Sequence, residues 1–255
     1  SEIIPKLSED YEITVVAPHF GAYEPENFKL VQIPLGSMHM DDYKGAKLKP
    51  KLIEKLVKKS DLVFSQTIGP IGFISIYYAK KHHVPVASYI HTIESELIPL
   101  ATEKLLLKRI YHSIVKLFSK YIYNKSTVLI CPSEEAAEIL TWHGVKTEKK
   151  IVYLGVDCNR FKPVEELNSQ ELAKLKQLRD ELCLGDAFVV GNHGRIAWEK
   201  DLYTLMRGFS WLQKKHKEVK LIIVGDGIPK IKDKLKTVPG IILVGSKNNV
   251  HKYLN

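Results

Sequence analysis

The chain has 255 residues, 45% hydrophobic and 26% charged, with a formal net charge of +9. This is an ordinary globular composition, sufficient for one large or two medium cores. The longest nearly uncharged apolar run, PIGFISIYYA at 70–79, is far short of the roughly 18 residues that a membrane span requires, and the opening SEIIPKLSED lacks the basic-then-apolar pattern of a secretory signal.

In chain order, the first residues read as the end of a helix. Short β-branched runs then alternate with amphipathic stretches, and strands are expected at YEITVVAP, KLVQIPL, DLVFSQ, VPVASYIH, TVLICP, KIVYLG, AFVVGN, VKLIIVG and GIILVG. Most are continuous apolar runs, as in parallel strands covered by helices on both faces, which makes the class α/β. Between the strands lie two lysine-rich segments. Residues 43–61 carry Leu52, Ile53, Leu56 and Val57 at helical spacing, and residues 103–125 set Leu106, Ile110, Ile114, Leu117 and Tyr121 on one stripe opposite Lys108, Lys116 and Lys120. The plain reading of both is a core-packed helix with a solvated cationic face. The sharper one is attachment to an anionic membrane.

The polar, proline-containing segment 154–170 precedes a fresh series of helices and strands, so a domain boundary is expected there, giving domains 1–155 and 156–255. After it the clearest helix follows Asp201, where Leu202, Leu205, Met206, Phe209 and Leu212 recur at steps of three and four. The closing NVHKYLN reads as an unfinished helix, and the chain is expected to be a piece of a longer protein. Cys131, Cys158 and Cys183 are far apart with no metal-type spacing, which fits a reducing cytoplasm. The positive charge calls for an anionic partner: nucleic acid, anionic lipid or a phosphorylated substrate.

In an open parallel sheet, ligands bind beyond the carboxyl ends of the strands. Three strand ends carry candidate chemistry: YIHTIESE, NHGRIAWEKD and IVGDGIP. In the second, Arg195 and Lys200 lie on the loop between a strand and a helix N-terminus, where two cations and free N–H groups suit an anion, a diphosphate in particular. The competing reading is two solvated cations with Glu199 as a local partner. VGDG at 224–227 is either a glycine turn allowing close backbone approach to a ligand or a plain turn.

Taken together, GRIAWEKDLYTLMRGF, KLIIVGDGIP and IVYLGVDCNRFKP resemble the C-terminal domain of retaining glycosyltransferases of family 4, which have the GT-B fold. QTIGPIGFISIYYAKKHHVPVASYIHT and LICPSEEAAEIL are similar to elements of that family's N-terminal domain. The resemblance covers essentially the whole chain in order. It implies two Rossmann-like domains facing a cleft, the second incomplete in this chain. The N-terminal domain would bind the acceptor and the C-terminal domain a nucleotide sugar.

By the same resemblance, Arg195 and Lys200, with Gly194, Gly225, Asp226 and Gly227, would hold the donor diphosphate. His91 would project towards the transferred sugar as the catalytic residue. No metal or other cofactor is implied, because the two cations take the place of a divalent ion. Glu94 and Glu96 follow His-Thr and could meet sugar or acceptor hydroxyls, although at least one is expected to be a solvated loop acid. Asp201 stands where glycine is usual, and Leu154 where asparagine is common. The family's glycine-rich loop would lie before Ser1 and its Glu-x7-Glu segment after Asn255. The implied activity is metal-independent sugar transfer with retention of configuration. The acceptor would be a glycan or a lipid, the latter suggested by the basic segments, with a cytoplasmic or peripheral inner-membrane location. The alternatives are a GT-B nucleotide-sugar epimerase and a basic nucleic-acid-binding protein; for the latter there is no recognised motif and no aromatic stacking pattern.

Overall fold

The computed structural model describes residues 3–21, 23–25, 27–40, 43–97 and 105–254. They fall into two units, Ser1–Leu154 and Gly155–Asn255.

In the first unit, α1 (Ile3–Leu7) precedes β1 (Thr14–Pro18) and β2 (Lys29–Ile33), which pair in parallel with Val16 opposite Val31. β3 (Leu35–Met40) and β4 (Tyr43–Ala46) then form an antiparallel hairpin. The helix α2 (Pro50–Val57) starts on a proline, which fits a first helical position because its missing N–H would have had no partner there. β5 (Val63–Ser65), α3 (Pro70–Lys81), β6 (Val86–Tyr89), α4 (Glu94–Leu97), α5 (Leu105–Tyr123), β7 (Val128–Cys131), α6 (Glu134–Trp142) and β8 (Lys149–Ile151) come next. Their strands make a parallel sheet in the order β5-β6-β7-β8. Ile53, Ile76, Ile90, Ile122, Leu129 and Leu140 fill the core beside it. β6 is buried along its whole length, so Ser88 must find a partner away from water, and its hydroxyl meets that of Ser126 at 2.8 Å.

The second unit holds α7 (Ser169–Glu181), β9 (Phe188–His193), α8 (Leu202–Lys215), β10 (Val219–Val224), α9 (Pro229–Lys236) and β11 (Ile241–Gly245). Its strands are parallel in the order β11-β10-β9. Asn168 starts α7 with a reciprocal cap: its side chain accepts from the Gln170 and Glu171 N–H groups, while the Glu171 carboxylate accepts from the Asn168 N–H. Leu202 and Phe209 of α8 pack with Val219, Leu221 and Ile223 of β10 and with Ile231 and Leu235 of α9. The periodicity after Asp201 therefore marks a helix packed in the core.

Three expectations change. The β3–β4 hairpin is absent from the expected strands, since LGSMHMDDYKGA has no alternation of apolar and polar residues to announce it. The strand at KIVYLG ends at Ile151, and Val152, Tyr153 and Leu154 are exposed. The stripe on α5 does not face the core: Leu106 is 71% and Leu117 66% exposed, and Ile110, Ile114 and Tyr121 are exposed too. The inward residues are Ser119, Ile122 and Tyr123 near the helix end. The core-packed reading of that stripe is therefore wrong. In α2, by contrast, Ile53 and Val57 are buried while Leu52 is exposed.

Candidate functional site

Arg195 sits two residues beyond β9, and its position is fixed by the next two residues in the chain. Ile196 is fully buried and Ala197 nearly so, which anchors the middle of the loop in the core beneath α8. Burying one such isoleucine is worth about 2 kcal/mol, enough to hold the residues on either side of it to one course.

The backbone is also tied to the loop after β10. Gly194 N–H donates to the Val224 carbonyl at 3.0 Å, Ile196 N–H to the Asp226 carbonyl at 2.9 Å, and Ile228 N–H to the Ile196 carbonyl at 2.8 Å. Two loops can run this close only where side chains are missing. A Cβ at Gly225 would overlap the Gly194 carbonyl, and one at Gly227 would overlap the Ile196 carbonyl. Both glycines also have positive φ, 146° and 156°. The glycines of VGDG thus approach the 194–196 backbone and form the base on which Arg195 stands.

The cations differ in their surroundings. Arg195 Nη2 meets Glu199 Oε1 at 3.0 Å, so the local ion pair considered from the sequence does form, with the arginine side chain 59% exposed. Lys200 is exposed at the end of a short 3-10 turn, Trp198–Lys200, and its Cε lies beside Gly194. Among the described residues its ammonium has no hydrogen-bond or ion-pair partner. Lys200 therefore reaches back from the turn to the carboxyl end of β9.

Asp201 adopts a left-handed conformation (φ 43°, ψ 45°), which explains why glycine would be at home there. Its carboxylate accepts from the Thr204 N–H at 3.3 Å, capping α8. Asp226 is committed as well: Lys232 Nζ donates to its Oδ1 at 2.6 Å and Gly227 N–H at 2.8 Å. The Lys232 bond, helped by the Gly227 N–H, holds the Asp226 carboxyl below the ordinary carboxylate range. Lys232 and Ile196 do not stand out in the sequence, because their partners are visible only once the two loops are paired.

In the first unit, His91 is exposed two residues beyond β6, its ring 4.5 Å from that of Tyr89. The loop after β5 lies against α3 because Gly72 leaves room for the Thr67 carbonyl, and the buried Ser65 hydroxyl donates to that carbonyl at 2.9 Å. Of the two acids after His91, Glu94 is not solvated. The Tyr123 hydroxyl lies 2.8 and 3.0 Å from its two carboxylate oxygens. Burial raises the Glu94 pKa above the usual carboxylate value, and the Tyr123 bond opposes that rise. The tyrosine's own ionisation is pushed up by burial and by Glu94. Glu96 is exposed. No helix among the described residues is long and apolar enough to cross a membrane.

The chain as a whole has relatives among known proteins. A family model described as Glycosyltransferase Family 4 matches residues 2–160. Alpha-monoglucosyldiacylglycerol synthase of Streptococcus pneumoniae is 28% identical over 168 residues, covering 66% of this chain and 36% of that protein. The protein of the same name from Acholeplasma laidlawii is 25% identical over 236 residues, covering 88% of this chain and 58% of that one. The chain thus spans between about one third and three fifths of these curated relatives. Among solved structures, Anabaena HepE, crystallised with UDP and glucose, superposes with a TM-score of 0.63 at 16% identity, covering 89% of this chain and 59% of that one. An Escherichia coli trehalose-6-phosphate protein bound with UDP-2-fluoro glucose gives 0.56 at 9% identity, covering 94% and 68%. At such identities the likeness establishes the fold, which is GT-B. With more than half of its length matched by the family model, the chain belongs to Glycosyltransferase Family 4.

Proposed function

We propose that the protein transfers a sugar from a nucleoside-diphosphate sugar to a lipid acceptor at an anionic membrane surface, with retention of the anomeric configuration. The observation that carries the donor half is the pair of cations at one strand end, Arg195 following Gly194 and Lys200 reaching back beside it, on a loop fixed by Ile196. When the anomeric carbon–oxygen bond breaks, negative charge develops on the leaving diphosphate. Cations already in position stabilise it without reorganisation. UDP is the natural probe, because HepE and the trehalose-6-phosphate protein were crystallised with uridine nucleotides.

In this reading the acceptor hydroxyl attacks the anomeric carbon from the face that the diphosphate leaves, and a phosphate oxygen takes the hydroxyl proton. His91 contacts the transferred sugar, and no divalent ion is needed at the diphosphate.

The acceptor half rests on α5 and on the relatives' name. An exposed ridge of Leu106, Ile110, Ile114, Leu117 and Tyr121 is costly in water unless something covers it. Lys80, Lys120 and Lys125 line a shallow pocket with Leu117 and Tyr121, and the Lys125 ammonium lies 4.2 Å from the Tyr121 ring centre. Apolar side chains flanked by lysines suit an interface of acyl chains and anionic headgroups. The two relatives are named for making monoglucosyldiacylglycerol, so diacylglycerol is the acceptor to try first. Incubation with labelled UDP-glucose and anionic vesicles containing diacylglycerol should place label in an α-linked glycolipid without added magnesium or manganese. A β-linked product would contradict retention. Strict dependence on either ion would contradict the role given to Arg195 and Lys200.

A further inference from the structure

Immediately after the His91 loop, three elements of the first unit bring metal-ligating side chains together. Glu96 on α4 has its Oε1 3.9 Å from Nδ1 of His112 on α5 and 3.8 Å from Nε2 of His143, the residue that ends α6. One ligand atom from each of the three lies within 4.8 Å of the other two. These separations are too long for hydrogen bonds. The two Glu96 separations exceed by about half an ångström the edge of about 3.3 Å implied by a tetrahedral zinc ion with bonds of about 2.0–2.1 Å, and the third edge, now within 4.8 Å, closes with a shift of at most about 1.5 Å.

Ser95 contacts both rings, His143 through the nitrogen away from Glu96 and His112 through the one that faces it. Ser95 is 1% exposed, its carbonyl accepts from His112 Nδ1 at 3.0 Å, and its hydroxyl lies 3.4 Å from His143 Nδ1. The serine contact directs His143 Nε2 towards Glu96, as the outer contacts of metal-bound histidines do. Ligation through His112 Nδ1 exchanges the proton now shared with Ser95 for the ion, the usual proton release of a histidine site.

We propose that Glu96, His112 and His143 form a three-ligand site for a zinc-class divalent cation, which ties the segment following His91 to α5 and to the end of α6. Two imidazoles and one carboxylate suit such an ion, whereas magnesium and calcium prefer all-oxygen shells. Every ligand belongs to the first unit, so the site does not depend on the donor reading at Arg195 and Lys200.

The test is titration of the metal-stripped protein with cobalt(II), monitored by visible absorption and by displacement with zinc. One cobalt per chain is expected, with the strong absorption of a four-coordinate site. Glu96→Gln and His143→Gln should each weaken binding by at least about tenfold. His82→Gln removes a histidine paired with Glu54 at 2.8 Å, away from the cluster, and should bind cobalt as the parent does. Circular dichroism must show each variant folded, and zinc should raise the melting temperature of the parent but not of Glu96→Gln. The proposal is overturned if the parent gives no such absorption, or if folded Glu96→Gln and His143→Gln bind cobalt with the parent's affinity.

Discussion

At the scale of single residues, the glycines of GDG and the helical Gly208 should respond in opposite ways to the same substitution. Gly225→Ala and Gly227→Ala each force a Cβ into a neighbouring carbonyl at a φ that L-residues avoid, and should cost at least about 2 kcal/mol. Gly208 lies on an exposed part of α8 with nothing near its missing Cβ, so Gly208→Ala should stabilise by about 0.5–1 kcal/mol. Chemical denaturation of the three variants checks both signs. The sequence announced a turn at Gly225 and Gly227, but not that the turn's neighbour is another loop, because local spacing carries no information about a distant chain segment. Arg195 and Lys200 were legible for the opposite reason: strand, cations and helix succeed one another directly in the sequence.

Tyr123 and Glu94 provide a second residue-scale test. Tyr123→Phe removes the donor from a largely buried carboxylate and should cost about 1–3 kcal/mol near neutral pH. Without the hydroxyl, the Glu94 pKa rises further above its unfolded value. The deficit should therefore be small in acid, where Glu94 is protonated in both the folded and the unfolded state. It should grow as pH rises from the parent's folded Glu94 pKa, itself above the ordinary carboxylate value, and become complete above the variant's still higher one. Urea melts across that range measure it, and a pH-independent deficit would mean that the hydroxyl serves packing alone.

At the scale of elements, the sequence announced the strands of all three parallel sheets, because continuous apolar runs have little choice but burial on both faces. It could not decide the orientation of α5. An apolar stripe at helical spacing looks the same whether it faces a core or solvent, and only the exposure of Leu106 and Leu117 shows that the chain's own core does not cover it. That exposure yields a direct expectation. The protein should sediment with vesicles containing anionic lipid, more weakly at high salt, and Ile114→Glu with Leu117→Glu should reduce binding by at least about tenfold through lost apolar burial and charge repulsion. Because both side chains are exposed, the folded state should be little affected. Undiminished binding of the double variant would remove α5 from the interface.

At the scale of the whole molecule, the net charge of +9 includes two groups of cations that the proposed function uses. In the first unit, lysines accompany the exposed ridge on α5; in the second, Arg195 and Lys200 stand at the end of β9. The central claim is that this second group receives the donor diphosphate. Calorimetry with UDP, without added divalent ion, tests it most directly in the parent, Lys200→Ala and His91→Ala, once melting curves show each to be folded. Lys200→Ala should lose about 1.5–3 kcal/mol of UDP affinity, as expected for a lost charge-assisted contact, while His91→Ala should bind UDP as the parent does, because His91 is assigned to the sugar. Folded Lys200→Ala that binds UDP with the parent's affinity would mean that the diphosphate is held elsewhere.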